Sequence, residues 1–201
     1  MPLLGVILCG GQSSRMGSDK GLLRSGDATW AQLALHKFES LSLNVVLSIR
    51  ESQYEEYAAL FSKDQLIMDD DGSSIGGPLK GLLSVHDRFP DNDLFVLACD
   101  LPMMDRYVME HLCREHENHQ AEVTLFSNDN QIEPLCAIYS AAGLAKTKID
   151  YTQQKLNKYS LHHIIGRLSS YSILLRKEWQ SSFQNFNSPD DLASSFNLSQ
   201  E

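Results

Sequence analysis

No two of the four cysteines, Cys9, Cys99, Cys113 and Cys136, form a C-x-x-C pair. That spacing excludes a zinc ribbon or a dithiol redox motif, so the thiols are expected to be free and buried. No run of about 18 apolar residues occurs, which excludes a membrane-spanning helix. Met1-Pro2-Leu3-Leu4-Gly5 has no basic stretch and no small-residue cleavage site, so no secretion signal is expected and a cytoplasmic location is. Positive charge is scarce: 17 Lys and Arg stand against 26 Asp and Glu, a net charge of −9. A general nucleic-acid binder needs a basic face, and this balance argues against one. Repeats, low-complexity tracts and Pro/Gly/Ser linkers are also missing. The 201 residues, 42% of them apolar, are expected to form a single domain, residues 1–201, with a substantial core.

What the chain does have is concentrated in its first twenty residues. Leu3 to Cys9 is a short apolar run of strand character. It breaks into Gly10-Gly11-Gln12-Ser13-Ser14-Arg15-Met16-Gly17-Ser18-Asp19-Lys20. Two glycines let the backbone turn tightly and bring its N–H groups close to a ligand. Successive N–H groups form a concave anion site, to which Arg15 and Lys20 add charge. Arg15, Lys20 and Arg24 against Asp19 alone make a basic island in an acidic chain, suited to a small polyanion. The loop is neither of the two commonest phosphate loops. Position 12 is Gln where a dinucleotide turn needs Gly, and Ser18-Asp19 separate Gly17 from Lys20 where a Walker loop needs Gly-Lys.

Further along, Thr29 to Gln32 is a capping box opening a helix, with Trp30, Leu33, Ala34, Phe38 and Leu41 at mostly helical spacing. Strands are expected at 44–49 and 65–68, with a helix over 51–61 between them. The second strand runs into Asp69-Asp70-Asp71, an acidic loop open to ligand contacts or simply solvated. Gly76-Gly77 is a second close-approach turn, and Pro78 suits the first position of a helix. Leu94 to Cys99 is the most apolar strand and ends in Asp100-Leu101-Pro102. A carboxylate at the carboxyl end of a buried parallel strand sits where ligands bind in open α/β sheets, and is placed to share Mg²⁺ with substrate phosphates. A helix over 104–119 carries His111, His116 and His119, read as a polar outer face. Strands follow at 122–126 and 133–139, one or two helices over 141–167, and a last strand at 170–175. Ser188, Pro189 and Asp191 make a helix start. The alternation predicts an α/β protein with a largely parallel sheet and helices on both faces.

The stretch Leu8 to Lys20 resembles the signature loop of the nucleotidyltransferases similar to molybdenum cofactor guanylyltransferase, roughly L-x-G-G-x-S-x-R-M-G-x-D-K. Gly77-Pro78-Leu79-Lys80-Gly81 resembles that family's G-P-L-x-G element, and Cys99-Asp100-Leu101-Pro102 its C-D-x-P element. Pro134-Leu135 with Tyr139, and Phe183 to Leu192, resemble two later motifs.

The resemblance implies a single-domain, three-layer α/β/α, Rossmann-like nucleotidyltransferase fold. It implies guanylyl transfer from GTP to the terminal phosphate of molybdopterin, with Mg²⁺ as cofactor. By position, Arg15, Lys20 and Asp100 become catalytic residues and Asp100 the metal ligand. Leu8, Cys9, Gly10, Gly11, Ser13, Lys20, Asp70, Gly77, Gly81 and Asp100 become nucleotide-binding. Asn185 and Asn187 approach the pterin, and the family's 141–167 region, here with Lys155, Lys158, His162 and His163, faces that substrate. A monomer is expected, with transient contacts to cofactor-biosynthesis or acceptor proteins and none to nucleic acid or membrane. One departure stands out. Where the family often has Asn after the second strand, this chain has Ser48-Ile49-Arg50. A cytidylyltransferase of the same group, a sugar-phosphate nucleotidyltransferase and a non-catalytic GTP-binding regulator therefore remain alternatives.

Overall fold

The computed structural model describes residues 1–10, 19–128, 131–186, 188 and 191. Seven strands form one sheet: β1 (Leu3–Leu8), β4 (Val45–Ile49), β5 (Leu66–Met68), β6 (Asp93–Ala98), β7 (Val123–Asn128), β8 (Gln131–Tyr139) and β9 (Ser170–Leu174). Their order is β5-β4-β1-β6-β8-β7-β9. Within this sheet β8 alone runs against its neighbours; the other six strands share one direction. A separate two-stranded ribbon, β2 (Arg24–Ser25) with β3 (Ala28–Thr29), follows the N-terminal loop.

Strand alternation divides the core into two layers. From β1, Ile7 joins Leu47, Phe95 and Leu97 on one face. There they meet α1 (Trp30–Ser40), α2 (Tyr54–Ala58) and α4 (Arg106–Asn118). Leu4 and Val6 join Val46, Leu94 and Val96 on the other face, against α3 (Pro78–Arg88), α5 (Ala141–Thr152) and α6 (Leu161–Ile165). The three-layer arrangement expected from the alternation is the one observed. No described helix is long and apolar enough to cross a membrane.

Local chemistry sets the helix starts. At α1 the Gln32 amide donates to Thr29 Oγ1 (3.2 Å) while the Thr29 amide donates to Gln32 Oε1 (2.9 Å), so two otherwise orphaned donors are satisfied. Asp105 caps α4, Ser140 caps α5 and Ser160 caps α6, each side chain accepting from a first-turn amide. At α3 the entry is backbone-driven: Gly77 has φ +71°, a region that favours glycine, and Pro78 follows at the first helical position. Ser188 and Asp191 bond reciprocally, amide to side chain, as a helix start requires.

Two expectations change. The helix over 51–61 is one turn and a half, α2, flanked by tight 3₁₀ turns, although Tyr57 and Phe61 are buried as their spacing implied. His116 does not face solvent. Its Nε2 lies 3.2 Å from Asp93 Oδ2 and its Nδ1 3.0 Å from Thr124 Oγ1, while Asp93 Oδ1 accepts from the Ala141 amide at 2.8 Å. Asp93 opens the most buried strand, so its charge needs these partners. The strands expected at 122–126 and 133–139 pair antiparallel as β7 and β8.

Candidate active site

At the carboxyl edge of β4, β1 and β6 the strands end side by side. The Cys9 amide donates to the Ser48 carbonyl (2.9 Å), the Cys99 amide to that of Leu8 (3.3 Å) and the Asp69 amide to that of Ile49 (2.8 Å). These bonds extend the ladder one residue past each strand and bring Cys9, Cys99 and Asp69 to a common rim. Beyond them a cavity of about 160 Å³ opens, walled by Leu8, Cys9 and Gly10, by Ser48 and Asp69, by Gly77, Pro78 and Gly81 of the α3 entry, and by Lys20, Asp100 and Leu135.

Lys20 Nζ lies 3.0 Å from Asp100 Oδ2, joining residues 80 apart in sequence. Both side chains are partly buried, with 25% and 20% of their surface exposed, so their attraction is screened less than a surface pair's. The other Asp100 oxygen, Oδ1, is buried and has no hydrogen-bond partner among the described residues. A buried carboxylate oxygen without a donor is costly, and a divalent cation would satisfy it. Among the described residues no three metal-ligating side chains converge. A single carboxylate oxygen left unmatched at the cavity suits a divalent cation that completes its shell with phosphate and water.

Lys20 is held in place through its neighbour. The Asp19 carboxylate accepts from the Gly21 amide (2.9 Å), from the Tyr57 hydroxyl (3.1 Å) and from Gln53 Nε2. Gln53 Nε2 also donates to the Cys9 carbonyl (3.1 Å), and its Oε1 accepts from the Arg50 amide (2.7 Å). The end of β1, the start of α2 and the Asp19–Gly21 turn are thus tied to one carboxylate. Burial, reinforced by Cys9, Cys99 and Asp19, pushes the Tyr57 phenol far up, so Tyr57 is a hydrogen-bond donor throughout the accessible pH range.

On the opposite wall Ser48 Oγ donates to Asp69 Oδ1 at 2.6 Å. Burial raises the Asp69 carboxyl, an effect opposed by Ser48 and by Lys80. This pair explains two glycines. A Cβ on Gly10 would sit 2.5 Å from Asp69 Oδ2, and one on Gly81 would collide with Ser48 Oγ.

Of the residues singled out in the sequence, Leu8, Cys9, Gly10, Lys20, Gly77, Gly81 and Asp100 meet at this cavity. Gly11, Ser13, Arg15 and Asn187 lie outside the described residues. Asp70 is not on the cavity wall: it is exposed, and its carboxylate accepts from the Gly72 amide (2.9 Å) in a local turn. Asn185 is exposed, although its neighbour Phe186 is buried and donates its amide to the Asp100 carbonyl at 3.2 Å. Lys155, Lys158 and His162 are exposed as well. Sequence reasoning marks Ser48 only as part of the Ser48-Ile49-Arg50 departure and misses its partner, passing over Asp69 in favour of Asp70. The signal that could have placed Ser48 is parity: Val46 and Ser48 share a strand face, and the face that buries Val46 also turns Ser48 toward α3.

A family model described as the MobA-like NTP transferase domain matches residues 5–168. The molybdenum cofactor guanylyltransferase of Campylobacter jejuni subsp. jejuni serotype O:6 is 30% identical over 154 residues, 75% of this chain and 76% of that one. A probable molybdenum cofactor guanylyltransferase of Methanothermobacter thermautotrophicus is 28% identical over 190 residues, covering 93% of this chain and 95% of its own. The crystal structure of molybdopterin-guanine dinucleotide biosynthesis protein A from Archaeoglobus fulgidus matches with a TM-score of 0.79 at 22% identity over 98% of each chain, a likeness of fold.

Proposed function

This chain is a nucleotidyltransferase of the MobA-like NTP transferase family, and we propose that it transfers GMP from GTP to the terminal phosphate of molybdopterin, giving the guanine dinucleotide and pyrophosphate. The observation that carries this reading is the Lys20–Asp100 pair at 3.0 Å, with Asp100 Oδ1 buried and unmatched beside a phosphate-sized cavity. In the reaction an oxygen of the acceptor phosphate forms a bond to the α-phosphorus, and the bond from that phosphorus to the bridging β-oxygen breaks. The attacking phosphate is already anionic, so no side chain acts as nucleophile. Catalysis then consists of positioning and charge neutralisation.

The residues divide those tasks. Backbone N–H groups around Gly10 and Gly11 cradle phosphate oxygens. Arg15 binds the departing pyrophosphate. Lys20 offsets charge where donor and acceptor phosphates meet. Asp100 would hold Mg²⁺, which when bound neutralises phosphate oxygens that repel one another; members of the family use a divalent metal. Asp69, set by Ser48 in the wall of the cavity, takes the nucleotide-contacting role that the sequence motif pointed to at Asp70. Asn185 and Asn187 remain assigned to the pterin side.

The test is release of pyrophosphate from GTP with Mg²⁺, in the presence and absence of molybdopterin. Acceptor-dependent release with GTP and little with CTP is expected. Equal or greater release with CTP would move the assignment to cytidylyl transfer, and GTP binding with no release would overturn catalysis.

A further inference from the structure

Beside the two layers of the main core, Trp30 and Phe186 are buried in a small cluster of their own, with Leu23, Leu33 and Met103 packed around them. Leu23 stands three residues after Lys20, and Met103 three residues after Asp100. The cluster therefore backs both halves of the Lys20–Asp100 pair. Backbone bonds make the tie direct. The Trp30 amide donates to the Leu23 carbonyl (2.9 Å), and the Leu23 amide donates to that of Lys20 (3.1 Å). On the other side the Phe186 amide donates to the Asp100 carbonyl at 3.2 Å.

A second tie reaches the same loop from α1. Lys37 Nζ donates to the Pro102 carbonyl at 2.7 Å. Trp30, Leu33 and Lys37 recur at helical spacing, so one face of α1 meets Pro102 and Met103 together. Lys37 gives up hydration for this bond: burial lowers its pKa, against the pull of Asp105.

Phe186 reaches its place from the far edge of the sheet. The strands β7 and β8 lie between β9 and β6. After β9 the chain turns back through a 3₁₀ segment, Lys177–Phe183. Its Trp179 and Phe183 pack on Phe126 of β7, with ring centroids 5.8 and 5.2 Å apart. Those two rings join the main core, but Phe186 does not. Its apolar neighbours belong to the segments that carry Lys20 and Asp100 and to the start of α1.

We propose that Phe186 and Lys37 are positioning residues, which clamp the Asp100–Met103 loop from two sides and so fix the carboxylate that Lys20 meets. The proposal rests on the reading of Asp100 as the residue that holds the divalent metal. A carboxylate on a fixed loop is already oriented when cation and phosphate arrive. A loop released at either tie must be ordered by the ligand, at the expense of binding and of alignment for transfer.

Calorimetric titration of GTP with and without Mg²⁺ tests the clamp, alongside turnover measured against Mg²⁺ concentration, all at a temperature where every variant is folded. In the wild type Mg²⁺ is expected to tighten GTP binding. Phe186→Ala and Lys37→Met should each lose most of that gain while keeping the Mg²⁺-free affinity. Each should also raise the Mg²⁺ concentration for half-maximal turnover about 10-fold, within the range seen for residues that orient a metal ligand. Phe186→Leu, which keeps apolar bulk, and Lys37→Arg, which keeps a donor, should recover most of the response. Ile164→Ala removes an equally buried side chain from the opposite layer. It should lower the melting temperature as Phe186→Ala does, yet leave the response to Mg²⁺ unchanged. An undiminished Mg²⁺ gain in either Phe186→Ala or Lys37→Met, or an equal loss in Ile164→Ala, would overturn the clamp and leave the metal reading standing. Wild-type GTP binding indifferent to Mg²⁺ would overturn the metal reading and the clamp with it, so the two failures are distinguishable.

Discussion

Ser48 Oγ and Asp69 Oδ1 lie 2.6 Å apart in the wall of the cavity at the sheet's carboxyl edge, and the space around this pair leaves no room for a Cβ at residue 10 or residue 81. A strand-end hydroxyl, a loop carboxylate and two motif glycines are therefore one structural unit. One residue of the Ser48-Ile49-Arg50 stretch, where the sequence departs from the pattern it resembles, falls within it.

Gly81→Ala is expected to destabilise the protein, because the new methyl collides with Ser48 Oγ and overpacking costs about 1–3 kcal/mol. Introducing Ser48→Ala first removes the colliding atom, so the same substitution should then cost less. Urea unfolding of the two single variants and the double variant checks the coupling. Strictly additive costs would show that the hydroxyl does not set the space at Gly81.

Asp69→Asn tests the electrostatics of the pair. Burial raises the Asp69 carboxyl in the folded state, so folding favours its protonated form. The stabilising effect of that protonation is complete below the unfolded carboxyl pKa of about 3.9 and is lost as pH rises through the raised folded value. Asp69→Asn should therefore be more stable than wild type at neutral pH, with the gain disappearing in acid, while nucleotide affinity falls. Thermal unfolding across pH, with and without nucleotide, reads both effects. A gain that grows as pH falls would contradict the sign.

Lys20→Ala and Asp100→Ala are each expected to lower turnover by two to three orders of magnitude, about 3–4 kcal/mol of transition-state stabilisation. Neither should unfold the protein, since both side chains sit at the cavity and outside the core. Single-turnover kinetics together with circular dichroism would check this. Wild-type turnover in both variants would remove these residues from the mechanism.

His116→Leu is expected to cost about 3–5 kcal/mol, the usual penalty for leaving a buried charge unpaired. Burial works to raise the Asp93 carboxyl, but His116 and the Ala141 amide more than offset it and hold it below its ordinary value. A depressed carboxyl contributes stability that is present above about pH 3.9 and lost as pH falls through the folded value. The penalty should therefore shrink at low pH, where Asp93 in the variant can take up a proton. Denaturant midpoints at pH 7 and pH 4 would measure the difference; an equal penalty at both would place the cost in packing alone.

Much of the candidate site is legible in the residues alone. The Gly10-Gly11 break, Lys20, Gly77-Pro78 and Asp100 are each tied to a strand end or a helix start, and those boundaries follow from local signals such as capping residues and apolar runs. Gly11, Ser13, Arg15 and Asn187, singled out by the same motifs, fall outside the described residues. What the residues do not reveal is which of three consecutive aspartates faces inward. Asp69 continues the β4–β5 ladder through its amide, whereas Asp70 turns outward to cap its own loop. His116 escapes sequence reasoning for a related reason. Its place on a polar helix looks like a solvent face, and only the packing of α4 over β6 and β7 supplies Asp93 and Thr124.

By itself, then, the sequence determined most of the elements, their alternation and the family. Those properties depend on residues near one another along the chain, where hydrophobic period, turn chemistry and motif spacing act. The tertiary structure alone decided the pairings across the sheet edge: Lys20 with Asp100, Ser48 with Asp69, Tyr57 and Gln53 with Asp19. Such relations depend on strand order, because β1 lies between β4 and β6 although long stretches of chain separate it from each. Their energies arise from the burial that closure of the sheet and its two helical layers creates.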